Sequence, residues 1–308
     1  MVRDDIKEEI VCGFKVSSNR KKLWHCELLM LEILEEVSQE NNLDYFLIFG
    51  SALGAVRHNG FIPWDDDIDI GMTRENFDRF LKVAGKYYDK DIFEIQYGYR
   101  KPIYDFILRI RDKRTTGITS QEVDANGCKG AFIEVYPFDH VSKNIIRDIQ
   151  ITVNFFIYKI LITKSRSINY FHGKGKAVRI LAGFFPRRVL WGFYNYVCRF
   201  QNTWSKADYV DLISVPTYAK RKWGLMKFDS VSTTTKVLYE YIETRIPANY
   251  DELLTNNYGD YMQLPTAEER GKYHENIVFY DPNLPYTVYD HTSEIEKYFS
   301  NQSMSDMI

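Results

Sequence analysis

Residues 49–71 read Phe49-Gly50-Ser51-Ala52-Leu53-Gly54-Ala55-Val56-Arg57-His58-Asn59-Gly60-Phe61-Ile62-Pro63-Trp64-Asp65-Asp66-Asp67-Ile68-Asp69-Ile70-Gly71. Just before them, Tyr45-Phe46-Leu47-Ile48-Phe49 is an apolar run of the length of a short buried strand; Gly50-Ser51 ends it in a turn, and Ala52 to Arg57 begins a helix. Asp65, Asp66, Asp67 and Asp69 then fall within five positions, beside Trp64, Ile68 and Ile70. On a strand, side chains two apart share a face, so Asp65, Asp67 and Asp69 converge while Asp66 points elsewhere. Three carboxylates held so close repel one another, and a bound divalent cation is the obvious compensation. All-oxygen ligation suits Mg²⁺ or Mn²⁺ rather than zinc. The plainer reading, a solvated acidic turn or helix cap, fits poorly with the apolar residues around the aspartates, and a calcium loop lacks its spacing and terminal glutamate. Gly50-Ser51 supplies a complementary half. A turn that leads from strand to helix leaves backbone N–H groups free to face a phosphate, and the Ser51 hydroxyl adds a donor. A phosphate cradle followed by metal-binding carboxylates is what transfer from a nucleoside diphosphate requires.

Working outward, Leu23, Cys26, Met30, Ile33 and Val37 recur at steps of three and four and predict an amphipathic helix over 21–37. Ile68 to Met72 reads as a second strand, and Thr73 caps a helix carrying Asn76, Phe77, Phe80, Leu81 and Ala84. Further strands are expected at Ile92–Tyr97, Phe106–Ile110 and Ala131–Tyr136. Short strands mixed with helices favour an α+β or α/β core over roughly residues 20 to 140. Residues 143–206 differ in character: twelve Lys or Arg stand against one acid, Asp148, for a net charge of +11, interspersed with thirteen aromatics. Gly173-Lys174-Gly175-Lys176 and Pro186 divide this insert into at least two helical pieces. Residues 207–308, with Pro247, Tyr258-Gly259-Asp260-Tyr261 and Pro265, read as helices joined by turns, frayed from about Asn301.

The chain has 308 residues, 27 % of them charged and 45 % hydrophobic, which excludes a disordered chain and a small disulfide-stapled module. Cys12, Cys26, Cys128 and Cys198 form no CxxC pair, so they signal neither zinc nor disulfides and read as buried thiols in a reducing compartment. The first nine residues lack the apolar core of a signal peptide, and the longest uncharged apolar stretches, 149–158 and 189–198, are ten residues each, too short to span a bilayer. A cytoplasmic protein is expected. The net charge of −2 argues against nucleic acid as a partner.

The run from Gly50 to Gly71 resembles the signature of the LicD family of phosphotransferases, which includes fukutin and fukutin-related protein and is similar in fold to the nucleotidyltransferases. Leu108-Arg109-Ile110 with Thr115-Thr116 looks like the family's central strand, and Phe132-Ile133-Glu134-Val135-Tyr136-Pro137-Phe138-Asp139 resembles its "IDIFPLD" strand. Pro247 to Leu254, then Tyr258 through Leu264-Pro265 to Arg270 and His274, looks like its closing motif. The likeness spans about residues 20–280. It implies metal-dependent transfer of a substituted phosphate, typically phosphocholine from CDP-choline, to a hydroxyl of a cell-surface glycan or its lipopolysaccharide or teichoic-acid precursor. Carried over, Asp67 and Asp69 are the metal-binding pair with Asp65 close by. Glu134 takes the third position, where the family more often has Asp, as ligand or base. Gly50, Ser51 and Arg57 are expected to hold phosphate oxygens, and Arg109 to pair with a phosphate or with a neighbouring acid. His58 and His274 are candidate acid–base groups with structural roles as the alternative, and Asp139 reads as a turn or cap residue. Other readings keep the site with CDP-ribitol, CDP-glycerol or a nucleoside triphosphate as donor, or keep only the fold as a non-catalytic glycan- or nucleotide-binding module. Around the basic insert, residues 1–142 carry −6 and residues 207–308 carry −7, so the neutral average conceals a segment suited to peripheral contact with an anionic inner leaflet.

Overall fold

The computed structural model describes residues 6–98, 105–119, 122, 127–165, 180, 183–202, 208–221, 224–270 and 277–289. A hairpin, β1 (Glu9–Val11) and β2 (Phe14–Val16), precedes the long helix α1 (Ser18–Asn41). Ser17 caps that helix by accepting the Arg20 N–H at 3.1 Å, and Asn42 ends it in the left-handed conformation. Then follow β3 (Phe46–Leu47), α2 (Phe49–His58), β4 (Asp69–Thr73), α3 (Arg74–Val83), β5 (Phe93–Gly98), β6 (Asp105–Asp112), β7 (Thr116–Thr119) and β8 (Phe132–Val141). The basic segment holds α4 (Ile145–Ser165) and α5 (Arg187–Arg199). The remainder comprises β9 (Tyr209–Asp211), α6 (Pro216–Arg221), β10 (Met226–Lys227), α7 (Phe228–Ser232), β11 (Thr234–Tyr239), β12 (Ile242–Pro247), α8 (Tyr250–Tyr258), α9 (Ala267–Arg270) and β13 (Ile277–Asp281).

The ten-residue strand β8 is the hub of a mixed seven-stranded sheet. It runs parallel to β4 and antiparallel to β6 and β9, while β3, β5 and β10 pair with β4, β6 and β9 respectively. This is an α+β fold. Ile133 and Val135 enter the core with Ile70, Met72, Leu34, Phe77 and Phe80, whereas Tyr136 and Phe138 join a second cluster with Phe46 and Val210. The alternation puts Glu134 on the face opposite Ile133 and Val135. Each fully buried Leu or Phe here contributes about 1.5–3 kcal/mol. Gly71 is needed for the second cluster, because a Cβ there would lie 2.4 Å from Phe46 and 2.9 Å from Phe138.

Several sequence expectations are corrected. Gly50 and Ser51 do not form a turn after a strand: β3 is only two residues long, and α2 already starts at Phe49, which takes a positive φ of 47°. That left-handed residue makes the sharp change of direction, so the glycine falls inside the helix. Thr73 stands at the N-cap of α3 but makes no cap bond; its hydroxyl accepts from the Asn76 side chain at 3.1 Å. The C-terminal third is not helical throughout, since β9 and β10 extend the main sheet, β11 and β12 form a hairpin and β13 pairs with β7. Their short lengths and mixed burial gave little periodicity to read. Cys12 is exposed, unlike the other three cysteines. The Gly173–Lys176 turn, the tail from Asn301 and His274 lie outside the described residues. Among the described residues no helix is long and apolar enough to cross a membrane.

Candidate active site: a centre of buried carboxylates

Two backbone pairings build the centre. Asp69 opens β4 opposite Glu134 of β8, and Arg109 of β6 faces Glu134 from the other side. Asp67 comes from the loop before β4. Asp67, Asp69 and Glu134 each offer an oxygen within 4.8 Å of the other two, and all three residues are buried. Asp65, Asp66 and Asp67 form a second such group. Strand geometry begins only at Asp69, so Asp65 meets the centre through a loop and not through strand alternation: its N–H bonds the Ile62 carbonyl at 2.8 Å, and its own carbonyl accepts from Arg20 and from the Trp24 indole, each at 3.0 Å. Asp66 does turn aside, and its Oδ2 accepts the Ile277 N–H of β13 at 2.8 Å.

Burial and then the neighbouring acids, Asp69 first for Asp67 and Glu134 first for Asp69, hold both carboxyls well above the ordinary range. Burial raises Asp65 to about 6. Asp69 Oδ1 is buried without a hydrogen-bond partner. An orphaned oxygen among converging carboxylates fits a hard divalent cation, because such an ion supplies both the missing partner and the missing charge. Glu134 is held by two donors, Arg109 Nε to Oε1 at 2.6 Å and the Tyr136 hydroxyl to Oε2 at 2.5 Å.

Ser51 lies under this centre, accepting the Asp69 N–H at 2.8 Å with its Oγ. Gly50 touches it directly, since a Cβ on Gly50 would come within 2.5 Å of Asp65 Oδ2. Of the two partners open to Arg109, the structure shows acids: besides Glu134 it bonds Glu122 at 2.8 Å, and Arg111 binds the same Glu122 oxygen. Burial pushes the Glu122 carboxyl up, but Arg111 and then Arg109 outweigh it and leave it below its ordinary value. Arg57 is not brought to the carboxylates. It sits at the far end of α2, where its Nη1 donates to the carbonyls of Tyr261 (2.8 Å) and Gln263 (3.4 Å) and its Nε to His58. Burial and the adjacent Arg57 lower His58 to about 4. Asp139 is no turn residue: it is fully buried in β8 and takes a bidentate pair from Arg74 at 2.8 and 2.7 Å.

Tyr136, Glu122 and the Asp66 tether escape sequence reading. Tyr136 lies two residues after Glu134 on one strand, and that shared face is the signal the sequence offers for it. Nothing local marks Glu122. Tyr136 also stacks on Tyr218 of α6, and Phe49 meets both rings edge-on at 5.6 and 5.7 Å.

Asp67 just before β4, Asp69 at its head, Glu134 opposite on β8 and the Gly-Ser helix start beneath them make one carboxylate centre. The family model described as "LicD/FKTN/FKRP, nucleotidyltransferase domain" matches residues 42–158, the stretch that holds Asp67, Asp69 and Glu134. The lipopolysaccharide cholinephosphotransferase LicD of Haemophilus influenzae is 25 % identical over 266 residues, which cover 80 % of this chain and 92 % of that protein. Shorter matches join it to two uncharacterized proteins, one of Rickettsia typhi (38 % over 58 residues, 19 % of each chain) and one of Rickettsia prowazekii (39 % over 71 residues, 23 % of this chain and 26 % of that one).

Proposed function

We propose that this protein is a metal-dependent phosphotransferase that moves phosphocholine from CDP-choline to a hydroxyl of a cell-surface glycan, of the lipopolysaccharide type or its precursor. The observation that carries the proposal is the convergence of Asp67, Asp69 and Glu134 around the unpartnered Asp69 oxygen, in a chain that aligns with nearly the whole of a cholinephosphotransferase. In this reading residues 1–142 form the catalytic core, 143–206 an insert and 207–308 the part that completes the site.

Asp67, Asp69 and Glu134 hold the cation, Mg²⁺ or Mn²⁺, with Asp65 beside it. Bound there, it neutralises charge that develops on the diphosphate as the P–O bond to CMP breaks. Arg109 and Tyr136 fix the orientation of the Glu134 carboxylate, and having both its oxygens engaged favours Glu134 as a ligand over Glu134 as the base. Ser51 anchors the start of β4, while Gly50 lets the helix backbone approach Asp65 and the donor phosphates. The position of Arg57 supports a structural role in holding the 261–263 loop, and that of Arg109 a positioning role, in place of phosphate contacts.

The test is release of CMP. Purified protein with Mg²⁺ and a panel of CDP-choline, CDP-ribitol and CDP-glycerol, with glycan acceptors, should release CMP from CDP-choline, and Asp67→Ala should abolish it. Release from a different donor redirects the substrate assignment. No release from any donor, together with identical metal binding by wild type and Asp67→Ala, refutes the enzyme.

A further inference from the structure

The helix α5 is apolar on two sides. Its inner side, Leu190, Trp191, Tyr194, Val197 and Cys198, is buried in a cluster with Phe106 and Val141 of the sheet. Its outer side carries Val189, Phe193 and Tyr196, and the turn that leads into it adds Phe184 and Phe185. Exposure of these five runs from 50 % at Phe193 to 77 % at Phe184. Singly exposed apolar residues need no explanation, but a helix with a second apolar stripe lacks half of its burial. Nine of the sixteen large exposed hydrophobics among the described residues fall between Ile145 and Tyr196.

Charge decides what covers this face. Arg188 is exposed on it, Arg187 flanks it, and the whole 143–206 segment carries +11. Two copies meeting through the same face would bring like charges together, whereas a phospholipid surface offers both acyl carbon for the aromatics and negative charge for the arginines. Tyr and Phe side by side with Arg is the composition of a membrane interface. We propose that α5 and the Phe184–Phe185 turn form a docking face by which the protein lies on an anionic phospholipid bilayer.

The face is joined stiffly to the sheet. Trp191 packs on Phe106 at 5.5 Å and on Tyr97 at 5.6 Å, and Arg199 pairs with Asp78 of α3 at 2.8 Å. Docking of α5 therefore fixes the orientation of β8, whose Glu134 stands about 23 Å along the strand from Val141. A peripheral contact of this kind gives the carboxylate centre a set height above the lipid.

Co-sedimentation of the full chain with vesicles of phosphatidylcholine, with and without phosphatidylglycerol, tests this. The wild type should bind the anionic vesicles and lose affinity as salt rises. Phe193→Ser combined with Tyr196→Ser should weaken binding at least about tenfold, and Arg188→Glu should weaken it on anionic vesicles only. These side chains are exposed, so the thermal midpoint should not move. Binding undiminished in the aromatic double variant, binding indifferent to phosphatidylglycerol, or no binding at all would overturn the proposal. So would a wild-type dimer that the double variant converts to monomer, which would assign the face to a second copy of this chain. Vesicle binding requires no turnover, so its failure and a failure of CMP release are distinguishable.

Discussion

Removal of one charge from the centre should make the metal-free protein more stable while it destroys metal binding. In Asp69→Asn the shape is retained and the amide can donate to a neighbouring carboxylate. Two unit charges within 4.8 Å of each other repel by at least about 3 kcal/mol at an effective dielectric constant of about 20. The alternative open to the wild type, keeping a buried carboxyl neutral at pH 7, costs about 4 kcal/mol relative to an unfolded chain in which it ionises freely. Relief of one such burden, less losses from imperfect amide packing, should stabilise by about 1–3 kcal/mol and raise Tm by about 2–5 °C. The sign with pH follows from the direction of the shifts. Asp67 and Asp69 titrate above their ordinary range in the folded state, so the folded chain binds more protons than the unfolded one. Metal-free wild type should lose stability as pH rises from the ordinary carboxyl range through the raised folded values, and the variant should lose less. Calorimetry in EDTA across pH, repeated with Mg²⁺, reads both effects. With Mg²⁺ the order should invert, because only the wild type gains a ligand. An Asp69→Asn protein no more stable than wild type in EDTA, with the same pH slope, would refute this account of the centre.

Other expectations concern the surroundings of the acids. Gly50→Ala places a methyl 2.5 Å from Asp65 Oδ2; a magnesium titration followed by thermal shift should show affinity down at least about tenfold, while metal-free stability holds because Ala is the better helix former. Tyr136→Phe removes a donor from Glu134 and should cost about 10–100-fold in metal affinity, measured by isothermal titration. Arg74→Ala leaves Asp139 buried and unpaired and should cost about 3–5 kcal/mol in urea denaturation, much of it recovered when Asp139→Leu is added. His58, held at about 4 against an ordinary 6.5, binds protons more readily unfolded than folded. Stability should therefore fall as pH drops from 6.5 toward 4, and His58→Gln should reduce that loss in acid melts.

Elements with a long single-period signal were legible before the structure: α1, α3, β5, β6 and the start of β8 lie where their apolar spacing puts them. Asp67 and Asp69 stand out by their neighbours in the chain and Glu134 by the family resemblance alone, and the structure brings the three together. What escaped depends on pairings between distant strands. The register that sets Arg109 and Asp69 on either side of Glu134 is invisible in any one segment, and so is the use of Glu122 by two arginines. Asp139 misled for the same reason, since its partner Arg74 lies 65 residues earlier. The positive φ at Phe49 was illegible because the conformation is held by packing around a residue type that rarely adopts it.

The hydrogen bond from the Ile277 N–H to Asp66 bears on how the protein is made. Synthesis delivers the acidic loop early, and the strand that fastens it only after more than two hundred further residues. The chain just after β13 is also tied to the core, by Tyr286, whose N–H meets the Thr115 carbonyl at 3.1 Å, and by Leu284, whose carbonyl accepts from Thr116 at 2.8 Å. A nascent chain that stops short of this strand has every carboxylate of the centre yet lacks the clasp on the loop that bears Asp65, Asp66 and Asp67. Competence thus waits on β13, and a product truncated before it would carry the acidic motif without a fixed place for the ion.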